Sequence, residues 1–354
     1  MRMHIVPIGY YSKLGLTIIT GLFGALLAVL GNFPIPWLIG SLASVSVATF
    51  LGAPLQPLPS KIERWMRVAI GVSLGPSVAN SVLQNSADLV FAIVSAVLIT
   101  TLFVTVGTRW FEHSTKLPKP SAFLTALPGG LSMLLAVSGD TSNRAQIVIA
   151  HTIRVVFVVA SISLLARFLG IPTDPNPFVA SFEWANGTSL IGLLALIVAC
   201  YFLAEKLKWP GVHVILPMMI CALLTGLTDI TIEAPEIVKT VALFVFGLVL
   251  GHEVASGPRH SYKMLAGASI VFTIGALVSA ALLALGLSVV IDKGFLVLFL
   301  AFAPGGIAEV SLIALALGLD AGLVALVHAC RFIFIILAGP LGLNYLARTF
   351  KSRS

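Results

Sequence analysis

The chain is a succession of apolar runs separated by short polar stretches. In the first half these runs cover residues 14–31, 35–52, 66–84, 88–108, 121–139 and 145–169. Most approach the roughly 20 residues that a helix needs to cross hydrocarbon, and the runs 89–106 and 264–291 contain no ionisable side chain. The pattern predicts an all-α polytopic membrane protein.

The chain also matches itself at a separation of 176 residues. "FP" at 33–34 aligns with "WP" at 209–210, "GVSLG" at 71–75 with "GLVLG" at 247–251, and "PGG" at 128–130 with "PGG" at 304–306. After one gap, "HTIR" at 151–154 meets "HACR" at 328–331. Four matches in order indicate a tandem duplication, with one membrane repeat in 1–176 and a second in 177–354.

The fifth segment of each half decides how the halves are oriented. If it dips in and returns, five segments cross and the halves are inverted; if it crosses, the halves are parallel. Cytoplasmic loops collect Lys and Arg. With five crossings, 16 of the 19 basic residues outside the membrane core fall on the cytoplasmic side, against 14 with six. We therefore expect two inverted repeats of about five crossings plus one re-entrant or broken helix each, with both termini cytoplasmic.

Composition agrees with a membrane location and argues against nucleic-acid binding, metal binding and catalysis. The chain is 58% hydrophobic and 10% charged, where soluble domains have about 25% charged residues. The net charge of +7 lies in short loops without a long basic block, so we expect no nucleic-acid partner. Three cysteines without CxxC spacing and scattered histidines predict no metal site, cofactor or catalytic residue.

The Pro-Gly-Gly motifs interrupt helix-forming sequence. Proline suits a first helical turn, and paired glycines let backbone approach a ligand. Helices are therefore expected to begin at Pro128-Gly129-Gly130 and at Pro304-Gly305-Gly306. A helix that starts inside the membrane directs unpaired N–H groups and its positive dipole end inward, which suits an anion. The alternative is a pair of glycine-lined packing kinks.

Arg154 and Arg331 are predicted near the bilayer centre, about ten residues into their segments. A central arginine costs about 2.5–3.5 kcal/mol or more unless it meets a partner or cavity. His151 and His328 precede the arginines by three residues on the same helical face. Each pair could bind a carboxylate or similar anion. The alternative is that the arginines hold unwound backbone through its carbonyls.

Acidic residues break the symmetry of the two halves. Glu309 follows the second Pro-Gly-Gly motif, where the first half has Ser132-Met133. It is a candidate coupling group for a proton or cation, or else a static counter-ion of an arginine. Asp140 and Asp320, at the far ends of the Pro-Gly-Gly helices, are expected to be turn or cap residues, with a place along the solute pathway as the alternative. "GVSLG" and "GLVLG" are expected to be helix-packing faces.

These motifs carry a family resemblance over essentially the whole chain. "APGGIAEVSLIALALGLDAGLVALVHACR" at 303–331, "LPGGLSMLLAVSGD" at 127–140 and "PWLIG" at 36–40 resemble the AbrB family of bacterial membrane proteins. The family is described as a duplicated membrane domain with an acidic residue after each Pro-Gly-Gly, and the first motif here lacks that residue. The resemblance implies two labels, regulator of gene expression and ammonia monooxygenase.

The leading hypothesis is a secondary transporter in the bacterial inner membrane, multi-pass, with the lipid bilayer and a small anionic or polar solute as its partners. The alternative is a membrane sensor or scaffold that regulates gene expression indirectly, and a distant third is a membrane oxidase. Assembly into a homo-oligomer is left open by the sequence.

Overall fold

The computed structural model describes residues 8–84, 86–129, 143–171, 187–228, 234–255 and 262–351, and all regular structure in these ranges is helical. In the first half the helices are α1 (Ile8–Leu30), α2 (Pro36–Phe50), α3 (Ser60–Gln84), α4 (Ser86–Thr115), α5 (Lys119–Ala126) and α6 (Arg144–Phe168). In the second half they are α7 (Gly187–Leu207), α8 (Val212–Leu227), α9 (Glu236–Ala255), α10 (Tyr262–Leu287), α11 (Phe295–Phe302), α12 (Ile307–Ala316) and α13 (Ala321–Lys351).

Six of these helices are long and apolar enough to cross a bilayer, namely α1, α3, α4, α6, α10 and α13. They differ in burial. In α1, α4 and α10, about a third or less of the apolar 18-residue stretch is buried inside the protein. In α3, α6 and α13, 61% or more of that stretch is buried. Large apolar side chains such as Phe23, Leu98 and Leu282 are exposed on the outer helices, as expected for surfaces that face lipid. The chain is a multi-pass helical membrane protein.

Two helix pairs pack across the halves in equivalent ways. A Cβ atom on Gly71 of α3 would lie 2.5 Å from the Val214 carbonyl oxygen of α8. A Cβ atom on Gly247 of α9 would lie 2.6 Å from the Leu38 carbonyl oxygen of α2. Both glycines and both carbonyls are separated by 176 residues. The close packing expected of "GVSLG" and "GLVLG" is therefore confirmed. The division of the chain at 176/177 stays a prediction.

The residues that precede α2 and α8 also correspond. Ile35 has φ 52° and Gly211 has φ 75°, so both begin their helices from left-handed backbone. Glycine reaches this region without steric cost, whereas isoleucine does not. The shared conformation places Pro36 at the start of α2, where its missing N–H would have no partner.

The two ends of the fifth segment of each half lie side by side. Lys293, just before α11, donates to the Asp320 carboxylate, just after α12, at 2.8 Å. In the first half, the Asn143 amide before α6 donates to the Ser121 hydroxyl in the first turn of α5 at 3.1 Å. Each segment therefore starts near the point where the next long helix begins.

Asp320 also begins α13. Its carboxylate accepts from the Leu323 amide at 3.0 Å, as an N-cap does, and from the Ser81 hydroxyl of α3 at 2.7 Å. Burial acts to raise the pKa of Asp320, but the hydrogen bonds from Lys293, Leu323 and Ser81 outweigh it and hold the pKa below the usual aspartate value. The cap interpretation of Asp320 is confirmed, whereas Asp140 lies outside the described residues.

Candidate functional site

The second Pro-Gly-Gly motif interrupts helix in the protein core. α11 consists of apolar residues and ends at Phe302, Ala303–Gly306 are not helical, and α12 begins at Ile307. The expected helix start is present, but Pro304 lies in the bend instead of the first turn, so the helix begins three residues later than predicted. Ala303 to Gly306 are all buried. The first amides of α12 therefore point into the core without helical partners.

Arg331 holds the carbonyls of this bend. Its guanidinium donates to the Ala303 carbonyl at 2.9 Å and to the Gly305 carbonyl at 2.7 Å, and a third contact joins it to Nδ1 of His328 at 2.7 Å. Arg331 is 2% exposed. A guanidinium can only donate, so Nδ1 accepts and the neutral His328 ring carries its proton on Nε2. That N–H donates to the Leu300 carbonyl at 2.9 Å.

Arg154 does the same in the first half. It donates to the Thr125 carbonyl at 3.1 Å and to the Leu127 carbonyl at 2.6 Å, next to Pro128, and contacts Nδ1 of His151 at 2.7 Å. Pro128 and Gly129 follow α5 as non-helical residues, while Gly130 lies outside the described residues. Both arginines therefore make the contacts of the alternative in which they hold unwound backbone. Solute contact by Arg154 or Arg331 stays a prediction.

The two histidines differ at Nε2. His151 is 3% exposed, and its Nε2 makes no hydrogen bond with any residue that the structure describes. The ring instead lines a cavity of about 20 Å³ together with Glu309, which has room for about one water molecule. His328 lines neither this cavity nor the neighbouring one. Of the two predicted His-Arg pairs, the first therefore lines the described cavity beside Glu309.

Glu309 lies in a cluster of charged side chains. In the first turn of α12, its carboxylate lies against Gly306. Glu63 and Arg67 of α3 and Glu253 of α9 line the same cavity, and Glu63 and Arg67 form an ion pair. A second cavity of about 30 Å³ also borders Arg67 and Glu309. Glu309 thus faces open space on two sides.

Sequence reasoning missed three members of this cluster. α3 begins at Ser60 and carries Glu63 and Arg67 on its first turns. Glu253 lies in the last turn of α9. The signal that could have found the pair is the i, i+4 spacing of Glu63 and Arg67 ahead of an apolar run, which is typical of a helix that has already begun.

These features define a class of protein: a multi-pass helical membrane protein in which one buried arginine holds the backbone at the end of α5 and another holds the break between α11 and α12. The family model described as "Transition state regulatory protein AbrB" matches residues 37–347. The chain belongs to the AbrB family.

Two curated relatives are similar over nearly their whole length. "Putative regulator AbrB" of Escherichia coli (strain K12) is 26% identical over 330 residues, which covers 91% of this chain and 93% of the relative. "Uncharacterized protein YhjN" of Bacillus subtilis (strain 168) is 26% identical over 351 residues, or 90% and 88% of the two chains.

Proposed function

We propose that this chain is a secondary transporter of the bacterial inner membrane that moves a small anionic or polar solute. The observation that carries the proposal is the break at Ala303–Gly306, where a helix starts inside the protein core beside two cavities that share Glu309. Transporter folds use interrupted helices near the midplane to bind solutes and ions. The proposal includes no enzymatic activity and no nucleic-acid partner.

The proposed architecture has two inverted halves. Lys293 contacts Asp320, and Ser121 contacts Asn143, so the start and the end of the fifth segment of each half lie together. This arrangement favours a segment that enters the membrane and returns on the same side. Five crossings then remain in each half, and an odd number inverts the second half relative to the first. The basic residues support this topology with cytoplasmic termini.

The solute site we propose lies at the start of α12. The unpaired amides and the positive dipole end at this point favour an anion. Arg154 and Arg331 contribute by fixing the non-helical backbone, since their terminal guanidinium nitrogens already donate to carbonyls. Glu309 is the coupling group of this site, and its carboxylate now occupies the position beside Gly306 that an anion would take.

Flux into liposomes tests the proposal. Purified protein would be reconstituted and supplied with labelled acetate, succinate or glutamate under an imposed proton or sodium gradient. We expect gradient-driven uptake of at least one anion by the wild type and by Glu112→Gln, an exposed glutamate on α4, but not by Glu309→Gln. Saturable binding without uptake under any gradient would overturn transport.

That outcome would favour the second candidate, a ligand sensor. It has the support of the name "Putative regulator AbrB" given to the Escherichia coli relative.

A further inference from the structure

Two carboxylates of the Glu309 cluster form no direct ion pair within the described part of the chain. Arg67 pairs with Glu63 on the same helix, whereas Glu253 and Glu309 form no ion pair there. Both line the cavity of about 20 Å³, and the charge of Glu253 interacts with those of Glu63, Arg67 and Glu309. Two like charges in a poorly solvated site resist simultaneous ionisation, so such a pair tends to hold a proton.

His151 supplies a hydrogen-bond donor to the same cavity. Because Arg154 donates to Nδ1, the neutral ring carries its proton on Nε2. That N–H has no acceptor among the described residues, while the equivalent N–H of His328 is bonded to the Leu300 carbonyl. One water molecule in the cavity could accept from His151 and donate to either carboxylate.

The ion that this geometry suits is a proton. The titratable and charged side chains that line the cavity come from four helices: Glu63 and Arg67 from α3, His151 from α6, Glu253 from α9 and Glu309 from α12. In the described ranges, no three His, Cys, Asp or Glu side chains are grouped so that they could hold a metal ion. A space for about one water molecule connects the carboxylates instead.

We propose that Glu253 and Glu309 share the coupling proton of this protein, through the water-sized cavity that His151 completes. The inference rests on the transport function proposed above and names its coupling ion. While Glu309 is ionised, it occupies the start of α12. When a proton neutralises it, its attraction to that helix start falls and the amides become available to an anion. Proton binding and anion binding therefore favour each other, which gives symport.

Infrared difference spectroscopy tests the proton site without any solute. A film of purified protein in lipid would be stepped from about pH 8 to about pH 5, a range in which exposed glutamates remain largely ionised, and the C=O stretch of protonated carboxyl groups recorded. We expect a band in the wild type that is reduced in Glu253→Gln and in Glu309→Gln and lost in the double variant. Glu112→Gln is the matched control and should leave the band unchanged.

The two histidines provide an internal comparison. His151→Asn retains an acceptor near Nδ1 for Arg154 but removes the N–H from the cavity, so we expect the carboxyl band to shift. His328→Asn makes the same change where Nε2–H meets the Leu300 carbonyl, so the band should stay in place. A purely structural role of His151 would produce no such difference.

The outcomes separate this inference from the transport proposal. A band that is unchanged in the double variant, or sodium-driven uptake that survives in Glu309→Gln at all pH values, would overturn the proton site. Uptake by the wild type would still support a transporter in that case. A carboxyl band that behaves as expected, in a protein that takes up no anion, would overturn transport and with it the coupling role.

Discussion

Arg331 is a buried charged side chain whose guanidinium donates hydrogen bonds to backbone carbonyls. Replacing it by glutamine leaves the carbonyls of Ala303 and Gly305 short of donors in the core. Each unsatisfied buried group costs about 1–3 kcal/mol. We therefore expect Arg331→Gln to lower the stability of the purified protein by that order, measured as thermal unfolding in detergent.

Arg167 is the matched control for this change. It also donates to two backbone carbonyls, those of Gly31 and Asn32, but it is exposed. Surface changes usually stay within about 0.5 kcal/mol, so Arg167→Gln should unfold close to the wild type. Equal unfolding of the two variants would contradict a special role for the buried clamp.

At the residue scale, spacing predicted the pairs but not their partners. Three residues between His and Arg place them on one face of a helix, which holds for both pairs. The spacing does not show whether a guanidinium contacts a solute or a backbone carbonyl. That depends on which non-helical backbone packs beside it in the tertiary structure. Arg67 and Glu253 were missed because their roles depend on helices that are distant in sequence meeting at one cavity.

The glycine faces of α3 and α9 are expected to be sensitive to a single methyl group. A Cβ on Gly71 would meet the Val214 carbonyl at 2.5 Å and the Pro217 ring at 2.6 Å, so the helices would have to separate. Overpacking of this kind costs about 1–3 kcal/mol. Gly71→Ala should therefore lower the unfolding temperature, and Gly275→Ala, where nothing lies within 4 Å, should leave it unchanged or raise it.

The contact between Lys293 and Asp320, at the ends of the second interrupted segment, is expected to make the stability of the protein depend on pH. The pKa of Asp320 is held below its usual value by Lys293, Leu323 and Ser81, against the effect of burial. Its contribution to stability is therefore complete above the unfolded-state pKa of about 3.9 and is lost as the pH falls through the lower folded-state pKa. Asp320→Asn should unfold more easily than wild type at neutral pH, and the difference should shrink below about pH 4. A difference that persists unchanged into acid would contradict this.

At the element scale, apolar periodicity located the crossing helices and glycine spacing located their contacts. Apolar periodicity placed the start of α3 too late in the chain, because charged residues such as Glu63 and Arg67 can occupy the first turns of a membrane helix. Pro304 was placed in a helical turn because proline favours that position. In the structure the Arg331 bonds extend the bend as far as Gly305, and the helix starts only beyond it.

At the scale of the whole molecule, the duplication is visible in the sequence, whereas the relative orientation of the halves rests on whether the interrupted segments return. Lys116 and Asp292 make this testable, because they are separated by the repeat distance of 176 residues, precede the two interrupted segments, and are both exposed. In parallel halves they would lie on the same side of the membrane. In inverted halves they lie on opposite sides.

We expect Lys116→Cys and Asp292→Cys to react from opposite sides when each is introduced after Cys200, Cys221 and Cys330 are replaced by alanine. With an impermeant maleimide on intact cells, the cysteine at 292 should be labelled and that at 116 only after the membrane is opened. The physical reason is the Lys293–Asp320 contact at 2.8 Å, which a segment that crossed the bilayer could not make, since its ends would be about 30 Å apart. Labelling of both positions from one side would require parallel halves and would contradict the inverted arrangement.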